Sequence, residues 1–321
     1  MNLDLNQLGQ AVKSLPIFAM DSASGLFAAN LTLVTLNEVF KHEYPATHWA
    51  SGELCTISTA VDEGARAVGY TELKGIGRAG IVAENATDIP ETDVEGEYHS
   101  HRVRTIAASF SWTTQDVRTA RMQGGLAGMT DAIAEKAMNC REAHDWSFND
   151  YIRDGDASLG LPGYTNSKGI FVIQAQTTDW MTATAAQITS SFSAAISYGK
   201  TQTESREIPD TAVFPTDVFG RIKDLQNSTA SDATVLEFLK RTNPEITKWA
   251  DDSGMNTAGT GKTKAVLIYN RAPNKSRVSA PMLMRPQQAQ AHGLKWKVIL
   301  ESRFAGVLTP KPRSRMRLEG V

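Results

Sequence analysis

Two glycine-rich stretches of this chain have residue types that could do chemistry. Gly75-Ile76-Gly77-Arg78-Ala79-Gly80 fits the GxGxxG spacing of dinucleotide sites. That spacing works when a strand leads into it and a helix begins within it, because the helix then aims its amide N–H groups at a pyrophosphate. The residues that follow reach Pro90 with no apolar face of helical period, so the stretch reads as a flexible arm and no cofactor is expected. Gly259-Thr260-Gly261-Lys262-Thr263 matches the end of a phosphate-binding loop, in which backbone amides and a lysine hold phosphate. The first glycine of that pattern would fall at Asn256, and a strand follows where a helix is required, so a loop tip is expected.

The histidines and cysteines give no fuller constellation. His42-Glu43 with His48 has the composition of a zinc-protease helix, but the histidines are six apart instead of four and Pro45 breaks the turn. His99 and His101 would share one face of a strand, and Cys140 and His144 one face of a helix. Each pair offers two ligands where a zinc site needs at least three from the protein. Surface histidines and a core cysteine are the expectation, with no metal. No GxSxG elbow is present, and an enzyme would have no mechanism here. The one enzymatic alternative, a nucleotide-binding enzyme, rests on the two glycine-rich pieces alone.

Composition bounds the rest. At 321 residues, 41% hydrophobic and 21% charged, the chain can bury a substantial core and has a soluble, globular make-up. Met1-Asn2-Leu3-Asp4 has neither the basic region nor the apolar run of a secretory signal, and no stretch approaches a membrane span. Cys55 and Cys140 suggest no disulfide framework, so synthesis in a reduced cytoplasm is expected. Net charge is −2, but residues 290–321 hold seven lysines and arginines against Glu301 and Glu319, a balance of +5 that leaves −7 elsewhere. Within that tail Lys311, Arg313, Arg315 and Arg317 alternate with Pro312, Ser314, Met316 and Leu318. Extended, this segment shows one basic face. It is either a solvated edge strand or a contact for an acidic surface or nucleic-acid phosphate.

The elements that carry these residues centre on Gly64 to Trp146. Outbound, Ala67, Gly69, Leu73 and Ile76 interleave with Arg66, Tyr70, Glu72 and Lys74, an extended segment weakly fixed in register. Its far end, Glu84 to Glu97, holds six carboxylates and no lysine or arginine, and Pro90 excludes a helix. This acidic tip is either solvated or meant for a basic partner. On the return Ile106, Ala108, Phe110 and Trp112 alternate with Thr105, Ala107, Ser109 and Ser111, the period of a half-buried strand. Thr113 with Asp116 forms a capping-box pattern that opens a short helix through Met122, and Gly124-Gly125 interrupts it. From Leu126 a second, long helix runs to about Phe148, with Met129, Ile133, Ala137, Cys140 and Ala143 on one face. An excursion so poor in large apolar residues needs a neighbour to lie on.

Elsewhere an amphipathic helix is expected over Leu26–Phe40 behind a polar arm, a strand over Gly169–Gln174, and a helix after Asp179 that buries Ile188, Phe192, Ala195 and Ile196 and stops at Gly199. A strand at Ala212–Phe214, helices over Val218–Leu225 and Asp232–Leu239, and strands at Ala265–Tyr269 and Trp296–Phe304 complete the pattern. Strands and helices mix without a βαβ rhythm, so the class is α+β.

The order of these elements carries a resemblance. The helix ending in Tyr44-Pro45, the loop with Asp88-Ile89-Pro90-Glu91-Thr92-Asp93-Val94, the strand ending Phe110-Ser111-Trp112, the long helix, then Gly155-Asp156 and Gly160-Leu161-Pro162-Gly163-Tyr164-Thr165-Asn166 resemble tailed-phage major capsid proteins of the Hong Kong 97-type fold, in the branch related to encapsulins. The resemblance implies an N-terminal arm and first helix over 1–50 and an extended loop inserted at 64–104. It implies a peripheral domain from 51–63, 105–178 and about 290–310 with a spine helix, and an axial domain from about 179–289 and 311–321. It further implies a non-enzymatic subunit that self-assembles as pentamers and hexamers into an icosahedral head around double-stranded DNA, made in the host cytoplasm and resident in the virion. Portal, scaffold and decoration proteins would be partners and a membrane would not. An encapsulin-like compartment for protein cargo is the alternative. The expected assembly surface is Lys74, Arg78, Glu84, Asp88, Glu91, Asp93 and Glu95 against Lys311, Arg313, Arg315 and Arg317 of an adjacent copy, with Gly259, Gly261 and Lys262 in the axial loop.

Overall fold

The computed structural model describes residues 45–321, apart from 83, 85, 86, 88, 177, 178, 229 and 230; the side chains of 120, 121, 123–132 and 231 are also outside the description. The expected polar arm, the helix over Leu26–Phe40, His42-Glu43 and Asp88 therefore lie outside the described residues.

The chain makes a short strand β1 (Ile57–Ser58), two ten-residue strands β2 (Ala67–Ile76) and β3 (Asp93–Arg102), then β4 (Arg104–Thr113) and helix α1 (Thr114–Arg153). There follow β5 (Phe171–Gln174), α2 (Ala185–Gln202), β6 (Thr211–Phe214), α3 (Thr216–Asp224), β7 (Gln226–Ser228), β8 (Ser231–Thr234), α4 (Val235–Thr242) and β9 (Lys248–Asp251). The last third holds β10 (Ala265–Tyr269), β11 (Arg277–Ser279), β12 (Met282–Pro286), β13 (Gln290–His292), β14 (Lys295–Phe304), β15 (Val307–Leu308) and β16 (Arg315–Glu319).

A five-stranded mixed sheet, ordered β5-β16-β10-β6-β9, divides the apolar core in two. Residues alternate across a strand, so Ala212, Phe214, Val266, Ile268, Met316 and Leu318 face one side, where they meet Ile188, Phe192 and Ile196 of α2 and Val235 and Leu239 of α4. Val213, Ala265, Leu267 and Tyr269 face the other, against Trp49, Leu54, Phe148, Ile152, Tyr164 and Phe304. Each fully buried Leu, Ile or Phe contributes roughly 1.5–3 kcal/mol. A second sheet has β14 at its centre, paired along its length with β4 on one side and with β12 and β13 on the other. The half-buried alternation expected for β4 is present, with Ile106, Ala108 and Phe110 partly covered and Thr105, Ala107 and Ser109 exposed.

Helix α1 opens on the expected capping box: Asp116 N–H donates to Thr113 Oγ1 at 3.1 Å and Thr113 N–H to Asp116 Oδ2 at 3.0 Å. It does not stop at Met122; helical backbone continues through Gly124 and Gly125 to Arg153. The path is nevertheless folded. Twenty residues of straight helix span about 30 Å, yet Lys136 Nζ lies 3.5 Å from Asp116 Oδ2 and 3.4 Å from Ser111 O. The reversal falls between these residues, in the stretch containing the glycine pair. Past it, Cys140, His144, Phe148 and Ile152 recur every four residues as the buried face.

Two other helix ends differ from expectation. Gly199 lies inside α2, which ends where Thr203 N–H donates to Gly199 O at 3.1 Å. A Cβ at Gly199 would stand 2.1 Å from Met316 Sδ, so glycine serves the close approach of α2 to β16 instead of a cap. Helix α4 starts at Val235, because Thr234 and Glu237 cap each other and Asp232 belongs to β8.

Candidate assembly surfaces

Among the described residues strands β2 and β3 pair only with each other, register Tyr70↔His99 and Lys74↔Glu95, and form a ribbon that leaves the body. An isolated two-stranded ribbon is marginal in water. Its two faces differ in chemistry. One carries Tyr70, Glu72 and Lys74 beside Glu95, Glu97, His99 and His101, and the other carries Leu73, Val94 and Tyr98, which are 69%, 59% and 70% exposed.

The polar face is tied together within the chain. Lys74 Nζ lies 3.4 Å from Glu97 Oε2, and His99 Nε2 lies 3.7 Å from both Glu72 and Glu97. Lys74 therefore has a partner on its own ribbon. The expected sharing of one strand face by His99 and His101 holds, and both rings pack on Tyr70. Tyr70 Oη donates to Thr309 O at 3.1 Å, anchoring the ribbon base to the body. Burial, then the charge of His99, holds His101 below the ordinary histidine value, while burial raises Tyr70.

Beyond the ribbon Arg78, Glu84 and Glu91 are exposed, as are Asp93 and Glu95 at the start of β3; Asp88 is outside the described residues. Ile81, Val82 and Ile89 are exposed beside them. The GxGxxG glycines sit at the end of β2 and just past it, and the described residues from Gly77 to Thr92 hold no helix. A dinucleotide geometry is not built there.

The basic tail is corrected by the structure. Pro312–Ser314 is a 3₁₀ turn, which breaks the alternation, and β16 is an interior strand covered on both faces. Lys311 and Arg313 remain exposed, while Arg315 is fully buried and Arg317 mostly so. Arg315 therefore joins no basic surface face. Its guanidinium carbon lies 4.2 Å from the Tyr164 ring centre, and Nη1 donates to Ser167 Oγ at 3.1 Å and Tyr164 O at 3.4 Å. Burial pushes it below the ordinary arginine value, against the opposing pull of Tyr164 and Tyr269. Arg317 lies 2.6 Å from Glu319 Oε1 and donates at 2.6 Å to Thr165 O.

At Gly259–Thr263 the amides are consumed by a turn: Gly259 N–H donates to Thr263 O at 2.8 Å, and Lys262 N–H to Gly259 O at 3.0 Å. Gly261 and Lys262 both have left-handed backbone, φ 71° and 62°. Thr260 donates through N–H and Oγ1 to Glu319, and β10 follows instead of a helix. This is a loop tip, not a phosphate cradle.

Sequence reasoning passed over the segment after Tyr44. Trp49 Nε1 donates to Asp252 Oδ2 at 2.5 Å and Trp49 N–H to Asn149 Oδ1 at 2.9 Å, clamping this segment to the end of α1. Arg153 completes the clamp against Asp150, Asp154 and Asp252. Cys55 and Cys140 are free and buried, and burial raises the Cys55 thiol to about 12. No group of three or more metal-ligating side chains exists among the described residues. No described helix is long and apolar enough to cross a membrane.

Residues 77–321, from the ribbon's far end to the C-terminus, match the family model for the major capsid protein. The chain belongs to the major capsid protein family. Among solved structures, this major capsid protein is similar to the capsid of Myoviridae phage XM1, with 17% identity, a TM-score of 0.74, and 92% of this chain and 98% of that one covered. A chain of Mycobacterium phage Adephagia gives 13% identity, a TM-score of 0.58, and 94% and 98% coverage. A virus-like particle from Pyrococcus furiosus gives 10%, 0.52, and 83% and 90%. Likeness at these identities is one of fold, and it is the Hong Kong 97-type fold that the order of elements implied. No curated protein matches the chain. The function is that of the structural subunit of a capsid.

Proposed function

We propose that copies of this major capsid protein assemble as pentamers and hexamers into an icosahedral shell around double-stranded DNA, each copy laying its β2–β3 ribbon over the next. The single observation that carries this reading is the ribbon itself: among the described residues its strands pair with no other strand, and Leu73, Val94 and Tyr98 are exposed on one face. A neighbour that covers this face removes apolar surface from water and supports a ribbon that is marginal alone. Heterologous contacts repeated around closed rings then build the shell. The element order supports α1 as the spine of a peripheral domain, and the five-stranded sheet with α2 to α4 as an axial domain whose Gly259–Thr263 tip meets its copies around the axis. DNA is held through general electrostatics without base readout, in keeping with a net charge of −2. The role needs no catalysis. A portal and scaffold or decoration proteins complete the virion, assembled in the host cytoplasm.

Electron microscopy of the purified protein tests this directly, and closed shells of uniform diameter are the expected result. Monomers at all concentrations would sink it. The ratio of absorbance at 260 and 280 nm then reports nucleic acid; shells that carry protein and no DNA would replace the phage-head reading with a cargo compartment.

A further inference from the structure

Between the polar face of the ribbon and the body lies a cleft of about 1240 Å³. Small-molecule sites are mostly apolar hollows of roughly 300–1,000 Å³. This one is larger, and its lining is charged. The ribbon wall presents Glu72, Lys74, Glu97 and the two histidines. On the body side, cations outnumber carboxylates: Lys168, Arg206, Lys311 and Arg313 stand with Glu204 and Glu207.

The carboxylates of the body wall are already engaged. Glu207 is paired with Lys275 at 2.5 Å and lies 3.7 Å from Lys311, and Glu204 is paired with Arg206 at 2.6 Å. Lys168 and Arg313 are exposed and have no ion-pair partner among the described residues. The wall also holds strained backbone, since Glu204 and Ser205 are consecutive non-glycine residues with φ of 51° and 60°. Such strain persists where the surroundings enforce it and concentrates at binding surfaces.

We propose that this cleft is the seat of a second copy of the chain, whose carboxylates neutralise Lys168 and Arg313. The inference rests on the assembly reading above and adds to it the place and chemistry of one contact. A protein surface can set separate carboxylates at Lys168 and Arg313 and neutral or basic groups opposite Glu72, Glu97, Glu204 and Glu207, whereas a continuous phosphate backbone cannot vary its charge along the cleft. The chain supplies the complement itself. Its 35 carboxylates include the six of Glu84–Glu97 with no cation among them. An occupant wedged here also props the ribbon from its polar side while its apolar face lies on a neighbour.

The test uses shells assembled from an equal mixture of ¹⁴N- and ¹⁵N-labelled protein, treated with a carbodiimide that joins lysine amines to carboxylates in direct contact. Peptide mass spectrometry should find Lys168 linked to a carboxylate in mixed-isotope pairs. In parallel, Lys168→Glu with Arg313→Glu should lower shell yield at least tenfold while the unfolding midpoint of the unassembled subunit stays at the wild-type value. Intact shells in which Lys168 is unlinked or linked only within its own chain overturn the proposal, as does wild-type shell yield from the double reversal. Absence of shells from the unaltered protein is a separate result and falls on the assembly reading.

Discussion

The guanidinium of Arg315 lies 4.2 Å from the ring centre of Tyr164, in a fully buried position without a carboxylate partner among the described residues. Three buried aromatic side chains, Trp49, Tyr164 and Tyr269, are in mutual ring contact at this place. Here the segment around Trp49, the loop after α1, β10 and β16 meet, so the cation sits where distant parts of the described chain are joined. Its Nε and Nη2 have no hydrogen-bond partner among the described protein atoms, which makes stacking and the Nη1 bonds the main support for the charge.

Arg315 is expected to resist both shortening and charge-preserving replacement. Arg315→Lys replaces a planar, weakly hydrated cation with a compact, strongly hydrated one and should cost about 1–3 kcal/mol. Arg315→Ala leaves a cavity and removes the Nη1 bonds to Ser167 Oγ and Tyr164 O, for about 3–5 kcal/mol. Denaturant unfolding of the unassembled subunit measures both, and wild-type midpoints would show that the stack contributes nothing.

Tyr70→Phe removes the bond from the ribbon to Thr309 O and keeps the ring. A loss of about 0.5–1.5 kcal/mol is expected, confined to the ribbon. Amide exchange over Ala67–Ile76 and Asp93–Arg102 should speed up while β10 and β16 stay protected; equal acceleration everywhere would deny the anchoring role.

Glu319 supplies a pH dependence. Burial opposes its ionisation, but donors from Thr260 and the charge of Arg317 prevail, so its carboxyl lies below the ordinary glutamate value of 4.5. A carboxylate lowered on folding stabilises the fold above its unfolded pKa, and that contribution is lost as pH falls through the folded value. Wild-type stability should therefore drop below about pH 4.5, and Glu319→Gln should be less stable at pH 7 with a shallower acid limb. Unfolding midpoints between pH 3 and 7 decide it; parallel curves would exclude Glu319 as a source.

Reversing the charge of Asp88, Glu91 and Asp93 to lysine should block or misdirect assembly, because the tip would then oppose cations such as Lys311 and Arg313 on an adjacent copy. Glu91 and Asp93 are exposed, so subunit stability should change by less than about 0.5 kcal/mol. Micrographs of normal shells from this triple variant would remove the tip from assembly.

Much of the scaffold was legible before folding because it depends on neighbours in sequence. The Thr113–Asp116 cap, the alternation of Ile106 to Trp112, the buried stripe Ile188, Phe192, Ala195 and Ile196, and the lone acidic excursion all follow from local period, charge and turn chemistry. The order of these elements was enough to place the chain in its fold.

The surfaces were less legible, for a physical reason. Alternation of Lys311, Arg313, Arg315 and Arg317 shows a basic face only if one side of the strand meets water. The flanking of β16 by β5 and β10, and the packing of Tyr164 and α2 on its two sides, are contacts between residues far apart in the chain that no local period encodes. Likewise Lys168 had no distinguishing neighbours in sequence, and folding brought it to one cleft with Arg313. Sequence alone determined β4, β6, β10, most of β14 and the buried face of α2, and that the ribbon is acidic at its tip and poor in apolar cover, while short strands such as β9 and β11 to β13 carry no local signature. Tertiary structure decided which charges are buried and which stay free, because burial is set by what packs over a strand from afar.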